Sequence, residues 1–453
     1  MVNYTKNIKS VETPATPNQT SVYETASASM VNQAEEWVRF GHSELSLSNY
    51  NFGGSGQLQI SSQDNLLRAC LELVLPAEPT AVVNGGISLC QYWGYHCIRD
   101  VEITPSNSNI SIRYTGEMLL AMAIAQTESR EKLDSVLSFS GKRQIKNTAA
   151  TDYNEWNNYQ QVAIVDLNVL FMNMHTSDAD CSKGYPLDIV PAPWQLVVSF
   201  KNLNEFCNFA PGTDVSGFGN GFVSAKLRLR TSQFTDKSFS LKNSLMSNPQ
   251  SVYPISFTLL RQGGIHNQTM SRVSATNKLT STRMHIDLNA VDNADLLAIM
   301  FTVVESASIA KTVDIPLDPA KYLGVTDLEV LWNGQVLYRS KGTEHLLVSQ
   351  FTSGKHGSIG FSHEGLNGVD ATQTGAPMRQ RNMIQIDMSR ISFSTCARSI
   401  SNTVRYLSSQ MSVSFNIITE RDTGAAVDYV CRYYYAYPAL LLTSSTSTSI
   451  ELQ

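Results

Sequence analysis

Charge is scarce in this sequence. Only 16% of its 453 residues are Asp, Glu, Lys or Arg, against about 25% in typical soluble domains. The 34 basic residues are balanced by 39 acidic ones and form no cluster. A chain without grouped positive charge lacks the footprint that grips a phosphate backbone, which disfavours direct packaging of nucleic acid. Long apolar runs are also missing. The longest, around residues 296–304, falls well short of the roughly 18 to 20 residues a helix needs to cross a bilayer. The first twenty residues hold no apolar core of the kind a secretory signal requires, so the expected starting compartment is the cytosol. The cysteines Cys70, Cys90, Cys97, Cys181, Cys207, Cys396 and Cys431 are odd in number and include no Cys-x-x-Cys pair. That pattern predicts buried thiols in a reducing compartment and no disulfide framework. The N-x-S/T sequons at Asn3, Asn18, Asn109 and Asn267 are then expected to stay unused.

The usual signatures of chemistry fail one by one. Gly217-Phe218-Gly219-Asn220-Gly221 is followed by the strand pattern of 224–230 instead of a helix that could aim N–H groups at a phosphate. Gly53-Gly54-Ser55-Gly56 lacks the Lys-Ser/Thr ending of a P-loop. In Gly360-Phe361-Ser362-His363-Glu364, Glu364 stands where a nucleophile elbow needs glycine. Asp178, Asp180 and Ser182 open like a calcium loop, but Lys183 occupies the glycine position. The histidines His42, His96, His175, His266, His285, His345, His356 and His363 never reach a metal-ligand spacing. Met118 and Met122 read as a buried helix face. The sequence therefore nominates no catalytic residue, no cofactor-binding residue and no metal ligand.

What is present is alternation. Leu71, Leu73 and Leu75 form one row, Leu196, Val198 and Phe200 another, and Leu227 and Leu229 alternate with Lys226, Arg228 and Arg230. Met284, Ile286 and Leu288 do the same further on, as do Ile384 with Ile386 and Val413 with Phe415 and Ile417. Period two with one wet face is the pattern of strands in antiparallel sheets. Strands punctuated by Gly, Pro, Asn and Asp, without regular helices between them, predict sandwiches or barrels. The run Tyr433, Tyr434, Tyr435 and Tyr437 reads as a final strand with one face in the core. Residues 1–44 read instead as an arm, polar and unpatterned until Met30, Ala34, Trp37 and Val38 fall on one side at helical spacing.

The departures from alternation come twice. Residues 99–104, a Pro-Ser-Asn turn and 110–114 lead into Gly116-Glu117-Met118 and a helical run to about Leu137. Residues 328–332, the turn Asn333-Gly334 and 335–339 lead into Gly342-Thr343-Glu344 in the same way. Asn-Gly favours a type I′ hairpin and would pair Val330 with Leu337. Asn65-Leu66-Leu67 is echoed by Asp295-Leu296-Leu297. At 453 residues the chain exceeds the ~250 that one core supports, and the repeated landmarks point to two copies of one β-domain. The expected division is an arm at 1–44, a first domain at 45–240 and a second at 241–453 with a short C-terminal tail.

In their order and spacing these segments resemble the double jelly-roll major capsid proteins of large icosahedral double-stranded DNA viruses, the iridovirus, phycodnavirus and marseillevirus kind. The resemblance is carried by Arg113-Tyr114-Thr115-Gly116-Glu117-Met118-Leu119, by Tyr185-Pro186-Leu187-Asp188-Ile189 leading into 195–201, and by the hairpin Leu331-Trp332-Asn333-Gly334-Gln335-Val336-Leu337-Tyr338-Arg339. Gly360-Phe361 and 381–387 also stand in the family's order, while Thr374-Gly375-Ala376-Pro377 replaces its Gln-Pro-Ser-Gly. The resemblance implies a mainly β fold of two tandem eight-stranded antiparallel jelly rolls with short helices in the loops. It also implies a structural protein, not an enzyme, that forms pseudo-hexagonal homotrimeric capsomers in a virion shell assembled in the host cytoplasm. Its implied partners are itself, neighbouring capsomers, minor capsid and penton proteins, and a membrane beneath the shell, with no direct nucleic-acid contact. Two other readings stay open: a scaffolding or minor capsid protein of the same fold, and a carbohydrate-binding or carbohydrate-active tandem β-sandwich, which would need paired carboxylates.

Overall fold

The structure, a computed structural model, describes residues 38–60, 65–76, 87–89, 92–104, 111–120, 139–141, 161–168, 185–186, 193–209, 218–234, 253–270, 280–290, 294–305, 324–332, 334–341, 383–387, 404–405, 411–419, 427–443 and 448–452. In its first half, β1 (Val38–Ser46), β11 (Ser224–Phe234), β3 (Asn65–Leu75) and β7 (Gln161–Asp166) lie side by side in that order. Facing them is a sheet of β2 (Ser55–Ile60), β9 (Trp194–Phe200), β5 (Ile98–Thr104) and β6 (Ile112–Thr115). The alternating rows read from the sequence meet between the sheets: Leu71, Leu73, Leu75, Leu196, Val198, Phe200 and Leu227 are all fully buried. Short elements fill the corners. These are β4 (Ile87–Leu89) with β10 (Cys207–Phe209), β8 (Tyr185–Pro186) beside β3, and the single-turn helices α1 (Trp93–His96) and α2 (Leu203–Phe206).

The second half repeats the first strand for strand. One of its sheets runs β12 (Tyr253–Met270), β21 (Val427–Thr443), β15 (Ala298–Glu305), β18 (Met383–Asp387), and the other runs β13 (Thr280–Asp287), β20 (Met411–Thr419), β16 (Gly324–Trp332), β17 (Gln335–Arg339). All pairings are antiparallel. Both halves therefore follow the same strand order, eight strands to each jelly roll. The echoed Asx-Leu-Leu landmarks occupy equivalent places. Asn65 and Leu66 pair with β8, while Asp295 and Leu296, as β14 (Asp295–Leu296), pair with the equally short β19 (Val404–Arg405). The second core is built from Met284, Ile286, Phe301, Val330, Val413 and Phe415. Phe301 and Phe415 stack with ring centroids 4.9 Å apart. Truncating Phe301 to alanine should cost about 3 to 5 kcal/mol by opening a cavity in a core that has no other aromatic pair of this kind among the described residues; urea unfolding would measure it.

Three expectations need correction. The chain is already in strand at Val38, so 38–44 belong to the first sheet and not to the arm; pairing with β11 out to Val38↔Phe234 supplies backbone hydrogen bonds that a free arm lacks. The rest of the arm lies outside the described residues. Val330 pairs with Tyr338, not Leu337, because a bulge between Val330 and Leu331 inserts one residue into the hairpin. Gly334 does adopt φ +77°, as a tight two-residue turn requires. The Tyr433–Tyr437 segment is not in the last strand, since β22 (Thr448–Leu452) follows and folds back onto Ala439–Thr443 at the end of β21. After Thr115 the chain turns helical over 116–120; the helical run expected to continue to Leu137 lies outside the described residues.

Candidate functional site: the contact between the two jelly rolls

The structure describes several of the segments weighed for chemistry. Gly219 (φ +70°) and Gly221 form a turn that hands the chain to β11, with Phe52 N–H donating to the Asn220 carbonyl at 2.8 Å. Gly53 (φ +74°) donates to the Lys201 carbonyl at 3.1 Å. His285 is exposed and lies 2.6 Å from Ser414 Oγ and 3.2 Å from Asp287 Oδ1. Cys97, Cys207 and Cys431 are buried and Cys70 is half-buried; burial pushes the Cys70 thiol up to about 11. Among the described residues no group of three or more His, Cys, Asp or Glu side chains is placed to hold a metal ion. No helix among them is long and apolar enough to cross a membrane. Asp178, Asp180, Ser182, the 360–364 segment, His175, His345, His356 and His363, and Cys90, Cys181 and Cys396 lie outside the described residues.

One part of the molecule brings distant polar groups together, from positions that share no sequence motif. The run Cys431-Arg432-Tyr433-Tyr434-Tyr435-Ala436-Tyr437 in β21 does not alternate between wet and dry. Cys431, Tyr433, Tyr435 and Tyr437 join the second roll's own core. Tyr434 and Ala436 point the other way, into the first roll's core, together with Leu259, Leu260, Ala298 and Met300. The strand is thus buried on both faces, and the one-faced reading of the tyrosine run is corrected. A run with no polar parity is the sequence signal of such a strand, and aromatic residues at both odd and even positions carried it.

Against that face stand the end of β6 and the first helical turn after it. Tyr114, 1% exposed, accepts the Leu260 backbone N–H at 3.4 Å. Three residues on, the Glu117 carboxylate pairs with the Arg432 guanidinium, and the Tyr434 hydroxyl lies within 3.5 Å of the same carboxylate oxygen. Burial by itself would raise the Glu117 carboxyl, but Arg432 and Lys201 together hold it below the ordinary carboxylate range. His96, at the end of α1, is buried beside this group with no hydrogen-bond partner on Nε2; burial and then Lys201 depress it to about 3, so the ring is neutral. Burial pushes the Tyr114 hydroxyl up to about 12. The result is an ion pair and two protonated phenols enclosed between sheets. Its chemistry is that of a latch: charge satisfied across a contact, with apolar surface around it.

Comparison with protein-family models finds no match, and comparison with curated sequences finds none either. Comparison of folds does. The chain is similar to a subunit of the PBCV-1 virus capsid at 12% identity and TM-score 0.57, covering 91% of this chain and 97% of that one. It is similar to the mavirus major capsid protein at 12% identity and TM-score 0.55, over 92% and 90% of the two chains. It is also similar to the Faustovirus major capsid protein at 8% identity and TM-score 0.56, over 90% and 91%. The likeness spans both rolls and shows a double jelly-roll fold.

Proposed function

We propose that this chain is a major capsid protein, assembling as homotrimeric, pseudo-hexagonal capsomers into an icosahedral shell. The observation that carries this reading is the end-to-end likeness of a tandem jelly roll to capsid chains of nearly its own length. Duplication has a physical use here. Two similar rolls per chain, three times over, present six similar units and tile a flat facet. Under this reading the chain divides near residue 240, assigns no catalytic, cofactor or metal residue, and is not an enzyme. Its partners are further copies of itself, minor and penton proteins, and a membrane beneath the shell. Its scarcity of grouped positive charge suits a shell protein that leaves genome contact to something else. Assembly takes place in the host cytoplasm and the product is the virion.

Two measurements test it. The purified chain should be a trimer by native mass at micromolar concentration, since interfaces of this class bury more than about 2,000 Å². This sequence should also be the dominant polypeptide of purified particles. Abundance on membranes during assembly with absence from particles would instead mark a scaffold of the same fold, and a stable monomer that binds oligosaccharide would mark a tandem β-sandwich of the carbohydrate class.

A further inference from the structure

His96 is buried beside the contact between the two rolls, and the ion pair there does not use it. The residue is 2% exposed, it closes the single turn of α1, and its Nε2 has no hydrogen-bond partner. Chain segments from three places converge on it. Gly116 passes directly over the end of α1, against the Tyr95 and Ile98 carbonyls, and brings Glu117 within electrostatic reach of the ring. The Lys201 N–H donates to the Cys97 carbonyl at 2.8 Å, which ties the end of β9 to the residue after His96. Arg432 and Tyr434 reach the group from β21 through Glu117.

The charges gathered here are Lys201, Glu117 and, paired with Glu117, Arg432. Two are positive and one is negative. Around them β6 and β21 add the phenols of Tyr114 and Tyr434, both kept protonated by burial, and β12 adds Leu259 and Leu260. Three residues past His96, Arg99 pairs with Glu205 of α2 at the surface. The single carboxylate is already engaged by Arg432 and the Tyr434 hydroxyl. A proton on His96 would add a third positive charge to an enclosed group that holds one counter-ion. Parting the rolls relieves that excess. Arg432 leaves with β21, while Glu117 stays with the first roll, to which His96 also belongs, and becomes the counter-ion of the imidazolium.

We propose that His96 makes the contact between the two rolls acid-labile: its ring takes a proton from water, Glu117 passes from Arg432 to His96, and the rolls part while each keeps its own strands. The second core contains no residue of the first half, and the second roll lends the first core only a few side chains, Met300, Tyr434 and Ala436 among them. The direction follows from proton binding. In the closed chain the ring titrates at about 3; once open to water it titrates at its ordinary ~6.5 or above. The open state therefore binds more protons between these values, so closure is fully stable above ~6.5 and weakens about tenfold for each pH unit below it. Glu117 stays ionised through the upper part of this range, because its carboxyl is held below the ordinary value. The effect is thus separate from loss of the ion pair at lower pH. Because the contact lies within one chain, the inference stands apart from the capsomer reading.

The test is oxidation of methionine by hydrogen peroxide in the purified full chain, read by peptide mass against added free methionine. Met300 lies in the first roll's core and Met284 in the second's, and both are fully buried. Each is therefore oxidised only as fast as its surroundings open. Lowering the pH from 7 to 5 should speed Met300 about 25-fold and leave Met284 within about twofold. In His96→Gln and in His96→Leu the acid response of Met300 should shrink to within about twofold, whatever the starting rate of either variant. A Met300 rate that ignores pH in the parent, or a response that survives in either His96 variant, would overturn the proposal. So would Met300 and Met284 rising together, which would mark unfolding of the whole chain in place of parting rolls.

Discussion

Arg432→Met should destabilise the folded chain by about 3 kcal/mol, at the lower end of the roughly 3 to 5 expected when one partner of a buried ion pair is removed. The reason lies in what is left behind. Glu117 keeps only 12% of its side chain exposed and Arg432 only 21%, so the variant leaves a carboxylate enclosed between two rolls without its counter-ion. Glu117→Met combined with Arg432→Met should recover most of the loss, because two apolar chains of similar volume suit the surrounding Met300, Tyr434 and Leu260. Urea unfolding of the parent, both single variants and the double variant gives the coupling directly. A single-variant loss below about 1 kcal/mol would mean that water reaches the pair. Acidity supplies a second readout. The Glu117 carboxyl is held below its ordinary value in the folded chain, so the pair's contribution is fully present above the ordinary carboxylate range and is lost as pH falls through the depressed value. The stability gap between the parent and Arg432→Met should therefore close as the pH drops below about 4.

Gly116→Ala should be at least as damaging, with a loss of about 3 kcal/mol or more and little folded protein at 37 °C. A Cβ at this position would stand 2.0 Å from the Tyr95 carbonyl oxygen and 2.6 Å from that of Ile98. Inserting one methyl into a packed core costs about 1 to 3 kcal/mol when neighbours can shift. Here both obstacles are backbone, at the end of α1 and the start of β5, and cannot rotate away. Gly219→Ala is the control. Its φ of +70° is strained for alanine, but nothing lies within 4 Å of the added carbon, so the expected cost is only about 1 to 2 kcal/mol. Equal losses at the two sites would show that backbone conformation, not close approach, sets the requirement at 116. The Gly-Glu pair that opens the helix thus has two physical jobs. Gly116 lets the chain pass over α1 and β5, and Glu117 then meets Arg432.

The sequence by itself determined the rolls. Rows such as Leu71, Leu73 and Leu75, or Met284, Ile286 and Leu288, commit each strand to one dry face, and a one-residue slip would expose the whole row. The echo of Asn65-Leu66-Leu67 in Asp295-Leu296-Leu297 was legible for a related reason: equivalent strands need equivalent starts, and both pair with a short strand at the corner. Alternation says which side of a strand is apolar. It does not say what covers that side, and it has no means of marking a strand covered twice. So the packing of Tyr434 and Ala436 on the first roll, and the meeting of Glu117 with Arg432 from opposite halves of the chain, were decided only in three dimensions. The same holds for the one-residue shift that sets Val330 opposite Tyr338, because a bulge depends on the twist the surrounding sheet imposes and not on the two residues of the turn. Local pattern built two similar rolls; long-range burial of one sheet face made them different.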